Sequence, residues 1–431
     1  MLGQRWQEIR TGFARPFWVA NISELFERLS YYAVFSSLAN YLHVRLAFTT
    51  KETAGLTGWF GGTVWFLAIL GGTIADRLGF RRALSLAYLI LSVAYFLLGS
   101  IAAPWLRPIR NAVPLWWLVL IILMLPALGI AMVKPSVVGT TARASTENVR
   151  SIGYSIYYTL VNVGGAAGPY LAGAINERVS TENVFRMAAL SVFLMFFGVL
   201  LFFREPRRSG DAPPPSVAET ARNFWTVITN PRFILFLLIF SGFWVVYWQQ
   251  YIALPLYLHG YVGVPEPKID KILITDAVTV ICLQIAVSYA TKRVPPFVAI
   301  TVGTLISSLG WIIIAVHPAV WTAILSLIVL ALGEITLSPR YYEYVSRLAP
   351  PEQQGTYMGF AFVPIGIGLW VGGWLAGHLM HHFAEVQHRP ALVWWSFVAF
   401  GIGITLLLWI YDLVVKPGKQ QKIVATADER R

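Results

Sequence analysis

Residues 113–140 read VPLWWLVLIILMLPALGIAMVKPSVVGT, an apolar run with a single charged side chain. About 20 apolar residues in a helix cross the ~30 Å hydrocarbon core of a bilayer, so this run is long enough to span a membrane. Part of it recurs at an offset of 204 residues: Ala127-Leu128-Gly129 with Pro135 matches Ala331-Leu332-Gly333 with Pro339. The run therefore predicts a transmembrane helix that belongs to an internal repeat.

The composition of the whole chain predicts an all-α membrane protein. Hydrophobic residues make up 57% of the 431 residues and charged residues 13%, whereas a soluble domain carries about 25% charged residues. Runs of spanning length recur from end to end and predict twelve transmembrane helices. They lie near 17–44, 54–75, 81–103, 113–140, 152–175, 184–203, 232–258, 270–290, 296–316, 319–342, 355–379 and 391–414.

The distribution of Lys and Arg predicts the orientation. With the N-terminus in the cytosol, the inner segments hold 22 of these residues and the outer loops nine, which is the positive-inside bias of membrane proteins. We therefore expect both termini in the cytosol and a location in the plasma (inner) membrane. The same bias explains the net charge of +12 without nucleic acid. The expected partners are the lipid bilayer, protons and a small-molecule substrate, and the protein is expected to be a monomer.

Two six-helix halves are predicted on either side of a polar segment. Residues 204–231 contain a Pro-Pro-Pro run and several arginines, which is typical of a linker. We expect residues 1–203 and 232–431 to form the halves, the second ending in a cytosolic tail. The repeat supports this division, because the 204-residue offset also matches Gly164 and Gly168 to Gly368 and Gly372, and an offset of 216 matches Tyr41-Leu42-His43 to Tyr257-Leu258-His259. A parallel six-helix repeat is a transporter architecture.

Five charged residues fall inside predicted spans: Glu24, Glu27, Arg28, Lys134 and Glu334. Each costs at least about 2.5–3.5 kcal/mol in the bilayer unless it is paired or faces a wet cavity. The first three share one helical face, as the spacing of three and four residues dictates. Either Glu24 and Arg28 form a local ion pair that leaves Glu27 over, or the face lines a water-filled cavity.

The charges in spans 4 and 10 suggest how a ligand is bound. Lys134 precedes Pro135, which frees backbone carbonyls in a span; this lysine either meets an acid or an anionic ligand, or snorkels to the cytosolic interface. By the repeat, Glu334 corresponds to Ile130, one turn before Lys134. The opposite charges could bind the two ends of a zwitterion or pair when no ligand is present. The five charges sum to −1, so one bound proton neutralises them. Asp276 is interpreted as an interfacial charge.

Neutral polar and aromatic residues complete the predicted substrate site. Amide side chains within spans offer hydrogen bonds, and tryptophans within spans offer packing or stacking surfaces. These residues are Asn162, Gln249, Gln250, Gln284, Trp65, Trp244, Trp248 and Trp370, to which the tyrosines Tyr31 and Tyr32 add the face of span 1.

The loop after span 2 reads Gly72-Thr-Ile-Ala-Asp76-Arg77-Leu-Gly79-Phe-Arg81-Arg82. Its glycines permit a tight turn, and Asp76 can accept hydrogen bonds at a helix start or pair with a base. We expect a conformational latch formed by Gly72, Asp76, Arg77, Gly79 and Arg81.

This loop resembles the signature loop of the major facilitator superfamily. Glu24-Leu-Phe-Glu27-Arg28-Leu-Ser-Tyr31-Tyr32, Lys134-Pro135, Asn162-Val-Gly164 and Gly333-Glu334-Ile-Thr-Leu-Ser338-Pro339 resemble motifs of the proton-dependent oligopeptide transporters. The resemblance implies the major facilitator fold and proton-driven uptake of small peptides. It implies that Glu24, Glu27, Arg28 and Lys134 handle the proton and the peptide carboxylate, and that Glu334 takes the amino end. From the unbalanced charges within the spans, we also expect Glu334 to take part in proton coupling.

The chain departs from that family at four positions: Phe35 replaces an arginine, Trp65 a tyrosine, Trp248 an acid and Ala361 a tryptophan. The expected pocket is therefore less polar than the family pattern.

Two other functions remain open from the sequence. Gly164-x-x-x-Gly168-Pro169 resembles an antiporter motif of the superfamily, which would fit proton-driven export of an amphipathic compound. The other is a non-transporting membrane receptor. No cofactor, metal site or enzyme activity is predicted, because no nucleotide loop or catalytic set is recognisable.

Overall fold

The computed structural model describes residues 11–146, 149–206, 217–291, 293–349 and 354–415. Within these ranges the chain is helical, and its β-type pairing is limited to an isolated bridge between Phe13 and Ser145. The helices up to residue 206 are α1 (Arg15–Asn40), α2 (Thr50–Leu78), α3 (Phe80–Leu98), α4 (Arg107–Ala112), α5 (Leu115–Arg143), α6 (Arg150–Arg178) and α7 (Thr181–Phe202). Those that follow are α8 (Val217–Ile228), α9 (Pro231–Tyr247), α10 (Ala253–Tyr257), α11 (Glu266–Ile272), α12 (Ile274–Ala290), α13 (Pro296–Val316), α14 (Val320–Leu348), α15 (Gln354–Phe360), α16 (Val363–Leu379) and α17 (Ala391–Val415).

Nine helical stretches of the described residues are long and apolar enough to cross a membrane. They are Phe80–Leu98, Leu115–Arg143, Thr181–Phe202, Pro231–Val262, Glu266–Ala290, Pro296–Val316, Val320–Leu348, Thr356–Val386 and Ala391–Val415. Helices α1, α2 and α6 have 26, 29 and 29 residues, but charged, polar and glycine residues lower their mean hydropathy. The described residues thus confirm an all-helical fold with helices of membrane-spanning length, while the number of twelve spans stays a prediction.

The chain forms two compact units. The first contains Met1–Pro214 and Pro265–Ile274, and the second contains Pro215–Val264 and Thr275–Arg431. The predicted linker falls partly on residues 207–216, which lie outside the described residues, so its boundaries stay a prediction. The short segment 265–274 belongs to the first unit although its sequence neighbours belong to the second.

In the first unit, α1 and α6 approach closely through glycine. A Cβ on Gly164 would lie 2.8 Å from the Arg28 Cβ, and one on Gly168 would lie 2.5 Å from the Leu29 carbonyl oxygen. A side chain at either position would push the two helices apart. These glycines therefore fix the position of the α1 face that carries Arg28.

In the second unit, α9 and α16 cross in the same way. A Cβ on Gly368 would clash with the Trp244 side chain and backbone, and one on Gly372 would lie 3.0 Å from the Gln249 Nε2 atom. Gly368 is Gly164 plus 204, and Trp244 is Arg28 plus 216. Equivalent residues of the repeat thus make the equivalent helix contact.

A second pair of helix crossings, α5 with α3 and α14 with α13, follows the same repeat. Gly129 of α5 faces Ala87 and Leu91 of α3, and a Cβ there would lie 2.8 Å from the Leu91 Cγ atom. Gly333 of α14 faces Gly303 and Ser307 of α13, where a Cβ would clash. Residues 303 and 307 are residues 87 and 91 plus 216, so the repeat relates these spans as well.

The segment 265–274 is attached to the first unit by polar contacts. The Ser37 hydroxyl lies 3.0 Å from both carboxylate oxygens of the buried Asp270. The Lys271 ammonium group donates to the Glu177 carboxylate at 2.6 Å, and the Thr181 hydroxyl donates to the Glu266 carboxylate at 3.2 Å. These contacts hold α11 on helices α1, α6 and α7.

Candidate functional site

A buried ion cluster lies on α1. The Arg28 Nε atom is 2.5 Å from Glu27 Oε2 and 3.4 Å from Glu24 Oε1. The side chains of the two acids are 0% exposed and that of the arginine 4%. The three residues share one face, as their spacing predicts, but they are enclosed by protein. Glu27 is not left over: it makes the shorter contact, so one guanidinium group serves two carboxylates.

Aromatic rings cover this cluster on one side. The Arg28 guanidinium lies 5.0 Å from the centre of the Tyr31 ring, within the range of a cation–π interaction. Tyr31 stacks on Phe35 with 5.6 Å between ring centres, and Phe35 meets Phe60 edge-on at 5.8 Å. Phe35, which stands where the resembling family has an arginine, therefore extends an aromatic wall.

Lys134 is held beside the same cluster. Its Nζ atom lies 4.2 Å from the centre of the Trp65 ring, and Arg28, Glu24 and Glu27 act on it electrostatically. The Lys134 cation therefore rests on an aromatic face within the electrostatic influence of two acids, and its role in ligand binding stays a prediction. With Lys134 included, two acids and two bases give the first-unit group a formal charge of zero.

Two further predicted substrate residues of the first unit have local contacts. The Asn162 amide nitrogen donates to the Tyr158 carbonyl oxygen at 2.8 Å, one turn back on α6, which uses one of its two hydrogens. The Tyr32 ring meets Tyr31 edge-on at 5.2 Å and would be 3.5 Å from a Cβ on Gly165. Both stay substrate-site predictions.

The acids of the second unit meet at a tyrosine. The Tyr247 hydroxyl lies 3.0 Å from Asp276 Oδ2 and 3.2 Å from Glu334 Oε2. Asp276 is only 6% exposed, so the interpretation of Asp276 as an interfacial charge is wrong. The depth of a residue within a span does not show which face it occupies, and Asp276 faces the protein interior.

Two other predicted residues of the second unit, Trp248 and Gln249, are packed. Trp248 is 4% exposed and lies beside Trp244, Tyr247 and Tyr251. The Gln249 amide nitrogen donates to the Val245 carbonyl oxygen at 2.7 Å, so this residue already serves helix packing. Their contacts with substrate remain predictions.

The repeat places different chemistry on equivalent faces. Adding 216 to Glu24, Glu27, Arg28 and Tyr31 gives Phe240, Phe243, Trp244 and Tyr247. The second-unit residues form an aromatic series in which Phe240 stacks on Phe243 with 5.6 Å between ring centres. Only the tyrosine is common to both faces.

The predicted latch loop is anchored within the first unit. The backbone N–H groups of Phe80 and Arg81 each donate to the Glu205 carboxylate at 2.8 Å, and the Arg81 guanidinium donates to the Leu200 carbonyl oxygen at 2.6 Å. Gly79 has a φ of +80°, which favours glycine. Arg77 is exposed, and the local environments of Gly72 and Asp76 lie outside the described residues. The latch function stays a prediction.

The sequence profile described as Major Facilitator Superfamily matches residues 18–363. The chain belongs to the Major Facilitator Superfamily. It is therefore an integral membrane protein of a transporter family rather than an enzyme, and the non-transporting receptor stays an untested alternative.

Individual relatives agree with this membership. The chain is 27% identical over 258 residues to a di-/tripeptide transporter of Lactococcus lactis, which covers 55% of this chain and 48% of that protein. It thus spans about half the length of this relative. It is also 22% identical to the multidrug resistance protein MdtH of Aeromonas salmonicida, over 80% of this chain and 82% of that protein.

The fold is shared with solved peptide-transporter structures. A POT family transporter in complex with 5-aminolevulinic acid superposes with a TM-score of 0.74 at 18% identity, covering 92% of this chain and 96% of that chain. The resemblance to the proton-dependent oligopeptide transporters seen in the sequence motifs is thus confirmed. At this level of identity the superposition establishes the fold.

Two site residues were missed by sequence reasoning. Tyr247 contacts two acids. The sequence feature that could have identified it is the repeat, in which Tyr247 is equivalent to Tyr31 at an offset of 216 residues. Glu205 caps α3 from 125 residues away along the chain, and no local pattern indicates such a contact.

Proposed function

We propose that the protein is a proton-coupled symporter that imports a small peptide or a peptide-like zwitterion or anion by alternating access. In this proposal, residues 1–203 and 232–431 form two six-helix halves of a monomer in the inner membrane, with both termini in the cytosol. The observation that carries it is the sharing of Arg28 between Glu27 and Glu24, at 2.5 and 3.4 Å.

This arrangement couples a proton to an anion. While both acids are ionised, the Arg28 charge is already compensated and does not attract an anionic ligand. A proton on Glu27 removes the closer of its two partners, and the guanidinium then binds a substrate carboxylate. Leaving a buried charge without a partner costs about 3–5 kcal/mol, so a proton and an anion that enter together are favoured over either alone.

Other residues give the binding site its selectivity. Lys134, whose cation rests on Trp65 at 4.2 Å, supplies a second positive charge for a carboxylate. Glu334 supplies a negative charge for an amino group. Phe35 and Trp65 replace polar residues of the resembling family, which favours a substrate with apolar surface between its charged ends.

Uptake by proteoliposomes tests this function. Labelled dialanine and labelled 5-aminolevulinic acid are offered with the outside acidic, and we expect accumulation inside that collapses when a proton ionophore is added. Glu27→Gln abolishes the response to the pH gradient, and Lys134→Ala lowers affinity. Glu385→Gln is the matched control, because Glu385 follows the C-terminal end of α16 and its exposed side chain contacts His381. Uptake that is indifferent to the pH gradient contradicts the proposal.

A second candidate is proton-driven export of an amphipathic compound. It is favoured by the match to the multidrug resistance protein MdtH over four-fifths of both chains. Efflux of a cationic fluorescent dye that persists in Lys134→Ala and fails in Glu27→Gln would support export over import. In the structure, Gly164 and Gly168 of the antiporter-like motif bring α6 against α1, a role that serves either function.

A further inference from the structure

The Tyr247 hydroxyl has two acid neighbours and one hydrogen to donate. Its oxygen lies within hydrogen-bond distance of Asp276 Oδ2 and of Glu334 Oε2, at 3.0 and 3.2 Å. A phenol donates once and accepts from another donor. If the phenol donates to Asp276, the contact with Glu334 is a hydrogen bond only when Glu334 carries a proton, and the converse holds if it donates to Glu334.

We propose that Asp276, Tyr247 and Glu334 form a proton-binding triad in which two acids share one exchangeable proton across the tyrosine hydroxyl. This inference rests on the proposed function, since it adds a second proton site to the one at Arg28. It assigns roles to Asp276 and Tyr247 in addition to the predicted role of Glu334.

The negative charges of Asp276 and Glu334 in the second unit favour a proton bound between them. Asp276 acts electrostatically on Glu334, Tyr247 hydrogen-bonds to both acids, and the Gln250 amide makes a weaker hydrogen-bonding contact with Asp276; none of these described neighbours is a base. Arg340, six residues from Glu334 on α14, is engaged by Glu343 at 2.7 Å and by the Thr291 carbonyl oxygen at 2.9 Å. Two ionised acids here would repel each other without a compensating cation, and a shared proton removes this repulsion.

A buried amide next to the triad provides a second, independent observation. Gln250 is 0% exposed and lies next to Asp276, yet neither its amide nitrogen nor its carbonyl oxygen has a hydrogen-bond partner of normal geometry. Asp276 Oδ1 likewise has no hydrogen bond of normal geometry, and its polar neighbour is the Gln250 amide. Buried polar atoms are normally hydrogen-bonded, so the imperfect contact between this amide and the carboxylate leaves hydrogen-bonding capacity for a proton, a water molecule or a substrate group.

In the triad, the negative charge at Glu334 can be compensated either by the shared proton or by a substrate ammonium group. With the shared proton in place, the acid pair carries one negative charge, and without it two. A substrate ammonium group at Glu334 therefore compensates the same charge as the proton does. Arrival of the amino end and release of the proton become linked, and this step is separate from the carboxylate and proton exchange at Arg28.

Infrared spectroscopy tests the triad without transport. The full-length protein in lipid nanodiscs is compared in H₂O and D₂O at neutral pH. We expect a protonated-carboxyl C=O band that disappears in Asp276→Asn and in Glu334→Gln, because either change removes the like-charged partner. Tyr247→Phe keeps the band and shifts its frequency, while Glu385→Gln leaves it unchanged. A band that survives both acid substitutions, or its absence from the wild type, overturns the proposal.

Transport provides the second readout. One pH unit stores about 1.4 kcal/mol per proton, so loss of one coupled proton lowers the attainable accumulation of dialanine by up to about tenfold per pH unit. Asp276→Asn and Tyr247→Phe lower gradient-driven accumulation more than they lower dialanine counterflow exchange. Equal losses in both assays contradict a role in coupling.

If the wild type shows the band but no gradient-driven uptake, the proposed function fails and the triad stands. If uptake is driven by the gradient while the band survives both acid substitutions, the triad fails and the proposed function stands.

Discussion

Replacing Gly164 by alanine is expected to destabilise the helix crossing that positions Arg28. The added methyl group would lie 2.8 Å from the Arg28 Cβ and 2.9 Å from the Leu25 carbonyl oxygen. Both neighbours belong to the rigid part of α1, so a change of rotamer cannot relieve the contact. The neighbouring Gly165 is the matched control, because its methyl group would meet the Tyr32 ring at 3.5 Å, an ordinary contact distance.

The size of the effect follows from the separation that is needed. Ordinary contact begins at 3.4 Å, so α1 and α6 must separate by about 0.6 Å at Gly164 and need not separate at Gly165. Inserting a methyl group into a packed core costs about 1–3 kcal/mol. Gly165→Ala should be neutral or slightly stabilising, since alanine favours a helix over glycine by about 1 kcal/mol.

Thermal unfolding of the purified protein in detergent, followed by intrinsic tryptophan fluorescence, measures the difference. We expect a lower unfolding midpoint for Gly164→Ala than for the wild type, and an unchanged or higher midpoint for Gly165→Ala. Gly368→Ala, at the equivalent crossing of the second unit, should also lower the midpoint. Equal midpoints for Gly164→Ala and Gly165→Ala would refute the close approach of α1 and α6.

Two further predictions concern ion contacts at the ends of helices. Glu205→Gln removes the charge from the carboxylate that caps α3 at 2.8 Å. We expect the free energy of unfolding to fall by about 1 kcal/mol, seen as a lower unfolding midpoint, and we expect the difference from the wild type to be smaller at high salt. A midpoint equal to that of the wild type would contradict the cap. The hydrogen bond from Lys271 holds the pKa of Glu177 below its usual value, so this ion pair stabilises the fold at neutral pH, and the stabilisation is lost as the pH falls below the usual carboxyl pKa of about 4.3. The unfolding midpoints of the wild type and Glu177→Gln should therefore converge in acid, whereas a constant difference at all pH values would exclude the pair as its cause.

Local sequence patterns are sufficient for the helices and for the cluster on α1. The spacing of Glu24, Glu27 and Arg28 places them on one face in any α-helix, and in the structure Arg28 lies 2.5 and 3.4 Å from the two acids. In the sequence, the evidence for the repeat is a few residue identities. The structure adds a physical basis, because glycines at equivalent positions of the two units permit equivalent close contacts between helices.

Contacts between distant residues are not predictable in this way. Asp276 and Glu334 are 58 residues apart and meet because a third helix contributes Tyr247. Whether an acid within a span faces lipid or protein depends on the rotation of its helix, which is set by packing against neighbours. A run of apolar residues as uniform as that of α12 gives little information about this rotation, which is why the interpretation of Asp276 as an interfacial charge is wrong.

The repeat gives a reason for the division of charge between the two units. Helices α1 and α9 make equivalent glycine contacts, yet the first carries two acids and a base where the second carries Phe240, Phe243 and Trp244. In the first unit, Lys134 brings the group to zero charge with both acids ionised. In the second unit, Asp276 and Glu334 meet at Tyr247, and the described groups that act on them include no base. In the proposed function, a proton added to the first group frees a cation for an anionic ligand, whereas a proton added to the second removes an excess negative charge. Each unit thus carries the charges that its proposed role requires, although both share one helical framework.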